Sequence, residues 1–205
     1  MVITVAQQKG GAGKTTLAAN LAAALAPTAR VALIDIDKQR SLAAWHRLRP
    51  AARPAIACQE LSFWRLDAEI ARLRAQVDCI FIDSPPQIET DARTAIRVAD
   101  LVLVPLQPSP LDLWATEATL RLAAAERQPA ALVLNRVPAN ARLTDTVRQS
   151  CAAAGHVLLP ATVGNRAVMA QAFAQGLGAA EFAPKSPAAA EIAALVAAVR
   201  LAAGW

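Results

Sequence analysis

The chain has 205 residues, 55% of them hydrophobic and 18% charged, with a formal net charge of +5. This composition excludes a disordered or collagen-like chain and fits one folded domain with one core. No run approaches the ~18 uncharged apolar residues of a membrane span, and the strand-like N-terminus leads to the expectation of no secretory leader.

Val2–Val5 reads as a buried strand running into Gln8-Lys9-Gly10-Gly11-Ala12-Gly13-Lys14-Thr15-Thr16. The general phosphate-loop pattern is a glycine, four residues, then Gly-Lys-Ser/Thr. Gln8 stands where the first glycine belongs, so the plain pattern fails by one residue. The glycines let successive backbone N–H groups point at one anion. A helix over Lys14–Leu25 adds its positive end to that site. Lys14 can reach outer phosphates, and the Thr15 hydroxyl can ligate magnesium. A Gly-rich turn alone would be weak; two lysines and a Thr pair at this spacing make the pattern specific.

Val31–Asp35 is the next strand, closed by Asp35-Ile36-Asp37. The period of two puts both carboxylates on one side, which suits magnesium coordination and orientation of an attacking water. The competing reading is that Ser41 caps a helix over Ser41–Leu48 while the aspartates serve the turn. Lys38, Arg40, Arg47, Arg49 and Arg53 form the densest basic stretch, with no acid between Asp37 and Glu60. It reads either as a solvated face or as a nucleic-acid contact.

A helix over Phe63–Gln76 precedes the strand Cys79–Asp83, whose terminal Asp83 is followed by Ser84-Pro85-Pro86. An Asp at a strand tip beside a phosphate loop can hold magnesium. Helices over Thr90–Val98, Asp112–Glu126, Asp145–Ala154, Ala167–Gln175 and Pro187–Ala203 alternate with strands Leu101–Val104, Ala131–Asn135 and Val157–Leu159. Continuous apolar strands between helices predict an α/β doubly wound, mostly parallel sheet covered on both faces. Ligands in such folds bind at the carboxyl ends of strands. Cys58, Cys79 and Cys151 have no metal spacing and read as buried thiols in a reducing compartment. His46 and His156 stand alone.

Lys-Gly-Gly-x-Gly-Lys-Thr-Thr resembles the deviant Walker A loop of the ParA/MinD family of ATPases. Asp83-Ser84-Pro85-Pro86 is similar to that family's Walker B strand and second switch. Asp35-Ile36-Asp37-Lys38-Gln39 is similar to its first switch, usually Asp-x-Asp-Pro-Gln, with Lys38 in place of the proline. Val104 to Asp112, and the segment Ala161–Gly178, resemble small plasmid-partition members of the family. The resemblance covers nearly the whole chain and is most specific near the phosphates.

The resemblance implies a P-loop ATPase using ATP and Mg2+. Lys9, Gly10, Gly11, Ala12, Gly13, Lys14, Thr15 and Thr16 would bind nucleotide, and Asn135 with Arg136 would lie at the adenine. Thr15, Asp35 and Asp83 would form the magnesium shell, and Asp37 would activate water. Lys9 would cross an ATP-sandwich homodimer to the partner's phosphates. The family also implies nonspecific DNA binding through Arg142, Arg148, Arg166, Lys185 and Arg200, salt-sensitive because it is phosphate contact. A ParB-like or other cargo-bound adaptor, and a cytoplasmic, nucleoid-associated location, follow from the same resemblance. No DNA-binding extension ahead of the first strand is expected. The poor C-terminal helix Ala188–Trp205 argues against a MinD-like membrane anchor. A metabolic ligase of the same fold, such as dethiobiotin synthetase, is the reading from another class, and Lys9 disfavours it. Lys14, Thr15, Asp37 and Asp83 disfavour a nucleotide-binding scaffold without hydrolysis, a reading that Lys38 keeps open.

Overall fold

The computed structural model describes residues 1–86, 89–139 and 143–205. Its first half runs β1 (Val2–Val5), α1 (Lys14–Leu25), β2 (Val31–Asp35), α2 (Ser41–Arg47), β3 (Ile56–Glu60), α3 (Leu66–Arg74), β4 (Cys79–Asp83) and α4 (Glu89–Arg97). The second half runs β5 (Leu101–Leu106), α5 (Pro110–Ala125), β6 (Ala130–Val137), α6 (Leu143–Ala153), β7 (Leu158–Gly164), α7 (Ala167–Phe173), α8 (Ala179–Phe182) and α9 (Pro187–Ala202). The strands form one seven-stranded sheet in the order β3-β2-β4-β1-β5-β6-β7. Every recorded pairing is parallel. This is the expected α/β doubly wound architecture.

The alternation of side chains sorts the core into two layers. Ile3, Val5, Leu33 and Phe81 pack under α1, α2, α8 and α9. Val2, Ala32, Ile34 and Ile82 pack with α3 and α4. Val102, Val104, Leu132 and Leu134 continue that second face under α5 and α6. Burial on both faces is why the inner strands read as unbroken apolar runs.

Three elements differ from expectation. The edge strand β3 carries Cys58, Gln59 and Glu60 half-exposed or exposed, so it lacks the apolar run that marks the inner strands. The other edge strand, β7, extends to Gly164 rather than ending at Leu159, and it tolerates Pro160 because one side has no partner strand. The segment expected as one helix from Phe63 begins as a 3-10 turn over Phe63–Arg65 before α3. The short helix α8 was also missing from the reading. It is held by long-range contacts: Ala179 N donates to Asn20 Oδ1 at 2.7 Å, and Glu181 makes a buried two-pronged ion pair with Arg49 at 2.6 and 2.8 Å. Among the described residues no helix is long and apolar enough to cross a membrane.

The sheet positions the site through register. Val5 pairs with Asp83, and Asp83 pairs with Asp35, so three strand ends lie level where β1 passes into the glycine-rich loop.

Candidate functional site

The loop after β1 has the shape its glycines permit. Gly11 and Gly13 adopt φ of 77° and 92°, which side-chain-bearing residues rarely do. At Gly13 an added Cβ would also meet Asn135 Nδ2 at 2.4 Å. Gly10 and Gly11 border open space, with nothing within 4 Å of a built Cβ. The result is a concave backbone at the N-terminus of α1.

Lys14 is buried at the first turn of α1. Burial pulls its pKa down, and the negative charges of Asp83 and Asp37 oppose that pull. A lysine desolvated among carboxylates is poised for a further anion. Thr15 Oγ1 donates to Asp83 Oδ2 at 2.6 Å. The second oxygen, Asp83 Oδ1, is buried with no hydrogen-bond partner. A hydroxyl and a carboxylate with an orphaned oxygen, both beside the glycine-rich loop, are hard oxygen donors that fit a magnesium ion.

Asp35, expected in the magnesium shell, is engaged differently. Its Oδ1 accepts from Asp37 N and its Oδ2 from Ala43 N, both at 3.0 Å. Burial raises its pKa while those two amides lower it. Its carboxylate anchors the first switch to α2. Asp37 is half-buried, and its Oδ1 accepts from Gln39 N at 2.9 Å, closing a tight turn. Lys38, in the place of the family's proline, is exposed. Rigidity comes instead from Arg40, in the left-handed region at φ 53°. Its Nη1 donates to the Asp35 carbonyl and, at 3.0 Å, to the Leu61 carbonyl. Sequence reasoning missed Arg40 as a switch brace, because its partner Leu61 lies in another loop.

Asn135 and Arg136 at the end of β6 do reach the loop. Asn135 Nδ2 donates to Ala12 O at 2.7 Å, and Arg136 Nη1 donates to Gly11 O at 2.9 Å. Both line a cavity of about 290 Å3 with Thr16, Val163, Met169 and Phe173. The apolar wall from β7 and α7 was not foreseen; it offers a flat aromatic base a surface to pack on.

Four of the candidate DNA residues fall among the described residues, and they sit on different elements. Arg148 on α6 and Arg200 on α9 sit on helices that cover opposite faces of the sheet. Arg148 Nη2 donates to Thr162 Oγ1 at 2.6 Å. Arg200 lies 4.4 Å over the Trp205 ring. Arg166 is taken by Glu191 in an ion pair at 2.6 Å, and Lys185 is exposed. Arg142 lies outside the described residues. The rival stretch is partly neutralised within the chain: Arg47 pairs with Glu60 and Arg49 with Glu181.

The buried Asp83 makes a pH prediction. Burial pushes its carboxyl up to about 7, against the Thr15 hydrogen bond. A raised folded pKa means the folded protein holds this proton more tightly than the unfolded chain. That contribution to stability is complete below the unfolded pKa of about 4 and is lost as pH rises through about 7. Without magnesium, Asp83→Asn should therefore be more stable than wild type at pH 8, by on the order of 2 kcal/mol. The difference should shrink toward pH 5. Thermal unfolding across that range checks it; equal stability at pH 8 would refute a buried charge at this position.

The profile of the CobQ/CobB/MinD/ParA nucleotide binding domain matches residues 3–177 of the chain. The chain belongs to that family. It is a ParA/MinD-type P-loop ATPase with the family's deviant phosphate loop. It is 31% identical over 184 residues to maintenance of carboxysome distribution protein A from Halothiobacillus neapolitanus, covering 85% of this chain and 84% of that one. The fold superposes on a Cyanothece McdA variant in complex with ATP, with a TM-score of 0.81 at 18% identity over 99% of this chain and 96% of that one. It superposes equally on the septum site-determining protein MinD complexed with Mg-ADP from Pyrococcus horikoshii, at TM-score 0.80, 20% identity and coverage of 99% and 97%.

Proposed function

We propose that this ATPase hydrolyses Mg-ATP slowly, dimerises around ATP, binds DNA without sequence preference and positions a cargo through an adaptor protein. The observation that carries the reading is the level register of Val5, Asp35 and Asp83, which gathers both switches and the two-lysine loop at the carboxyl ends of three inner strands. Loop amides and Lys14 hold the β- and γ-phosphates. Thr15 and Asp83 would hold magnesium, which would supply positive charge to the transferred phosphoryl group. Asp35 keeps the first switch in place, and Asp37 orients the water that attacks the γ-phosphate. Asn135 and Arg136 border the base, with Phe173 and Met169 behind it.

Lys9 supports the dimer, because a second lysine at the loop's outer lip, 39% exposed, can serve a neighbour's phosphates. Leu111 and Trp114, 65% and 67% exposed near the start of α5, supply apolar area beside it. Lys185, Arg148 and Arg200 have no acidic partner among the described residues, which leaves their charge for phosphates. The extent of similarity to the Halothiobacillus protein favours a protein assembly as cargo. The test is retention on nonspecific duplex DNA at low and moderate salt, with no nucleotide, ADP or a slowly hydrolysed ATP analogue. Binding only with the analogue, falling at least ~10-fold as salt is raised, is expected. No retention in any state, with ATP still bound, would overturn the DNA-based reading.

A further inference from the structure

Lys9 does not project freely from the loop. Its Nζ lies 2.6 Å from Asp112 Oδ2, on the first turn of α5. The Asp112 side chain is 3% exposed, against 39% for Lys9. Ser109 Oγ donates to the same oxygen at 2.5 Å, while Asp112 Oδ1 is buried without a partner. The backbone is tied to the same helix. Gln7 Oε1 accepts from Lys9 N at 3.4 Å, and Gln7 Nε2 donates to Thr116 Oγ1 at 3.0 Å. Thr116 in turn donates to the Asp112 carbonyl at 2.8 Å. Both the main chain and the side chain of Lys9 are therefore set by α5.

We propose that Asp112 is a positioning residue that stores Lys9 in its own subunit, and that breaking this ion pair gates entry of Lys9 into a partner's nucleotide site. The inference rests on the sandwich-dimer reading above. A lysine held against its own carboxylate is unavailable to another subunit's phosphates. When it leaves, Asp112 keeps one hydroxyl donor and an orphaned oxygen in a buried place, and a buried charge stripped of its partner is destabilising. Only a stronger anion across the interface offsets that loss. A γ-phosphate adds such charge where ADP has none, so the stored pair sharpens the distinction between ATP and ADP. Release also frees the first turn of α5, next to Leu111 and Trp114, at the moment a partner covers them.

The experiment compares wild type, Asp112→Asn, Lys9→Ala and the double variant. Sedimentation follows dimerisation against protein concentration, with ADP and with a slowly hydrolysed ATP analogue. Asp112→Asn should dimerise with the analogue at about tenfold lower concentration than wild type, the scale of one partly buried charged contact. The double variant should behave as Lys9→Ala alone, because the effect passes through Lys9. A merely structural Asp112 would instead weaken the dimer in both backgrounds. Unchanged or weaker dimerisation of Asp112→Asn overturns the gate. Wild type remaining monomeric with the analogue overturns the dimer reading. A second measurement tests the storage without any dimer: acylation of lysine amines in the nucleotide-free protein, mapped by peptide mass spectrometry. Lys9 should react several-fold more slowly than the exposed Lys38 and Lys185 in wild type, and approach them in Asp112→Asn. Equal reactivity of Lys9 in wild type overturns the stored pair.

Discussion

Lys14→Ala is expected to abolish ATP binding while the fold survives. Lys14 is buried at the start of α1, between the loop amides and the Asp83 and Asp37 carboxylates. Its removal leaves a cradle whose nearest charges are negative, facing a ligand that is itself strongly negative. A charge-assisted contact in a desolvated site is among the strongest single polar interactions a protein makes. We expect affinity to fall by at least ~100-fold, which corresponds to the loss of such a contact with its repulsive consequence. Calorimetric titration with ATP and magnesium measures it, and circular dichroism checks the fold. Binding retained near wild-type affinity would refute the phosphate-loop assignment and move the nucleotide elsewhere.

Asp37→Ala is expected to separate binding from hydrolysis. Asp37 does not hold the sheet together: its Oδ1 closes a surface turn on Gln39, and its backbone is kept in place by Asp35. Its negative charge acts on Lys14, the lysine proposed to hold the phosphates. Loss of a group that orients or deprotonates an attacking water costs roughly 10²–10⁴-fold in rate. Single-turnover hydrolysis should slow by that factor while ATP still binds, and sedimentation should show an ATP-bound dimer accumulating. A normal rate would remove Asp37 from the chemistry and turn attention to a water held by backbone groups alone. Asp35→Ala, by contrast, should loosen the first switch, because two amides lose their acceptor.

The strands buried on both faces were legible as apolar runs; of the two edges, β7 was legible only at its start and β3 not at all. Ile56–Glu60 pairs on one side only and buries only Ile56, so its residues follow neither the continuous nor the two-period pattern. A glycine loop, the lysine that follows it and the aspartates at strand ends are legible because local backbone geometry sets them. Counting arginines between Lys38 and Arg53 registers charge, but not that Glu60 and Glu181 come from other elements to neutralise it.

By itself the amino-acid sequence marked the glycine-rich loop, the inner strands with the longer helices between them, and the carboxylates that end β2 and β4. These depend on residue spacing and on conformations that only certain residues adopt. Only the tertiary structure decided what each charge touches. Parallel pairing levelled Asp35 with Asp83 across the sheet. The fold turned Asp35 onto the backbone of α2, left Asp83 Oδ1 unpaired, and brought Asp112 across 103 residues to Lys9. The physical reason is that a side chain's partner and its desolvation are set by elements distant in the chain.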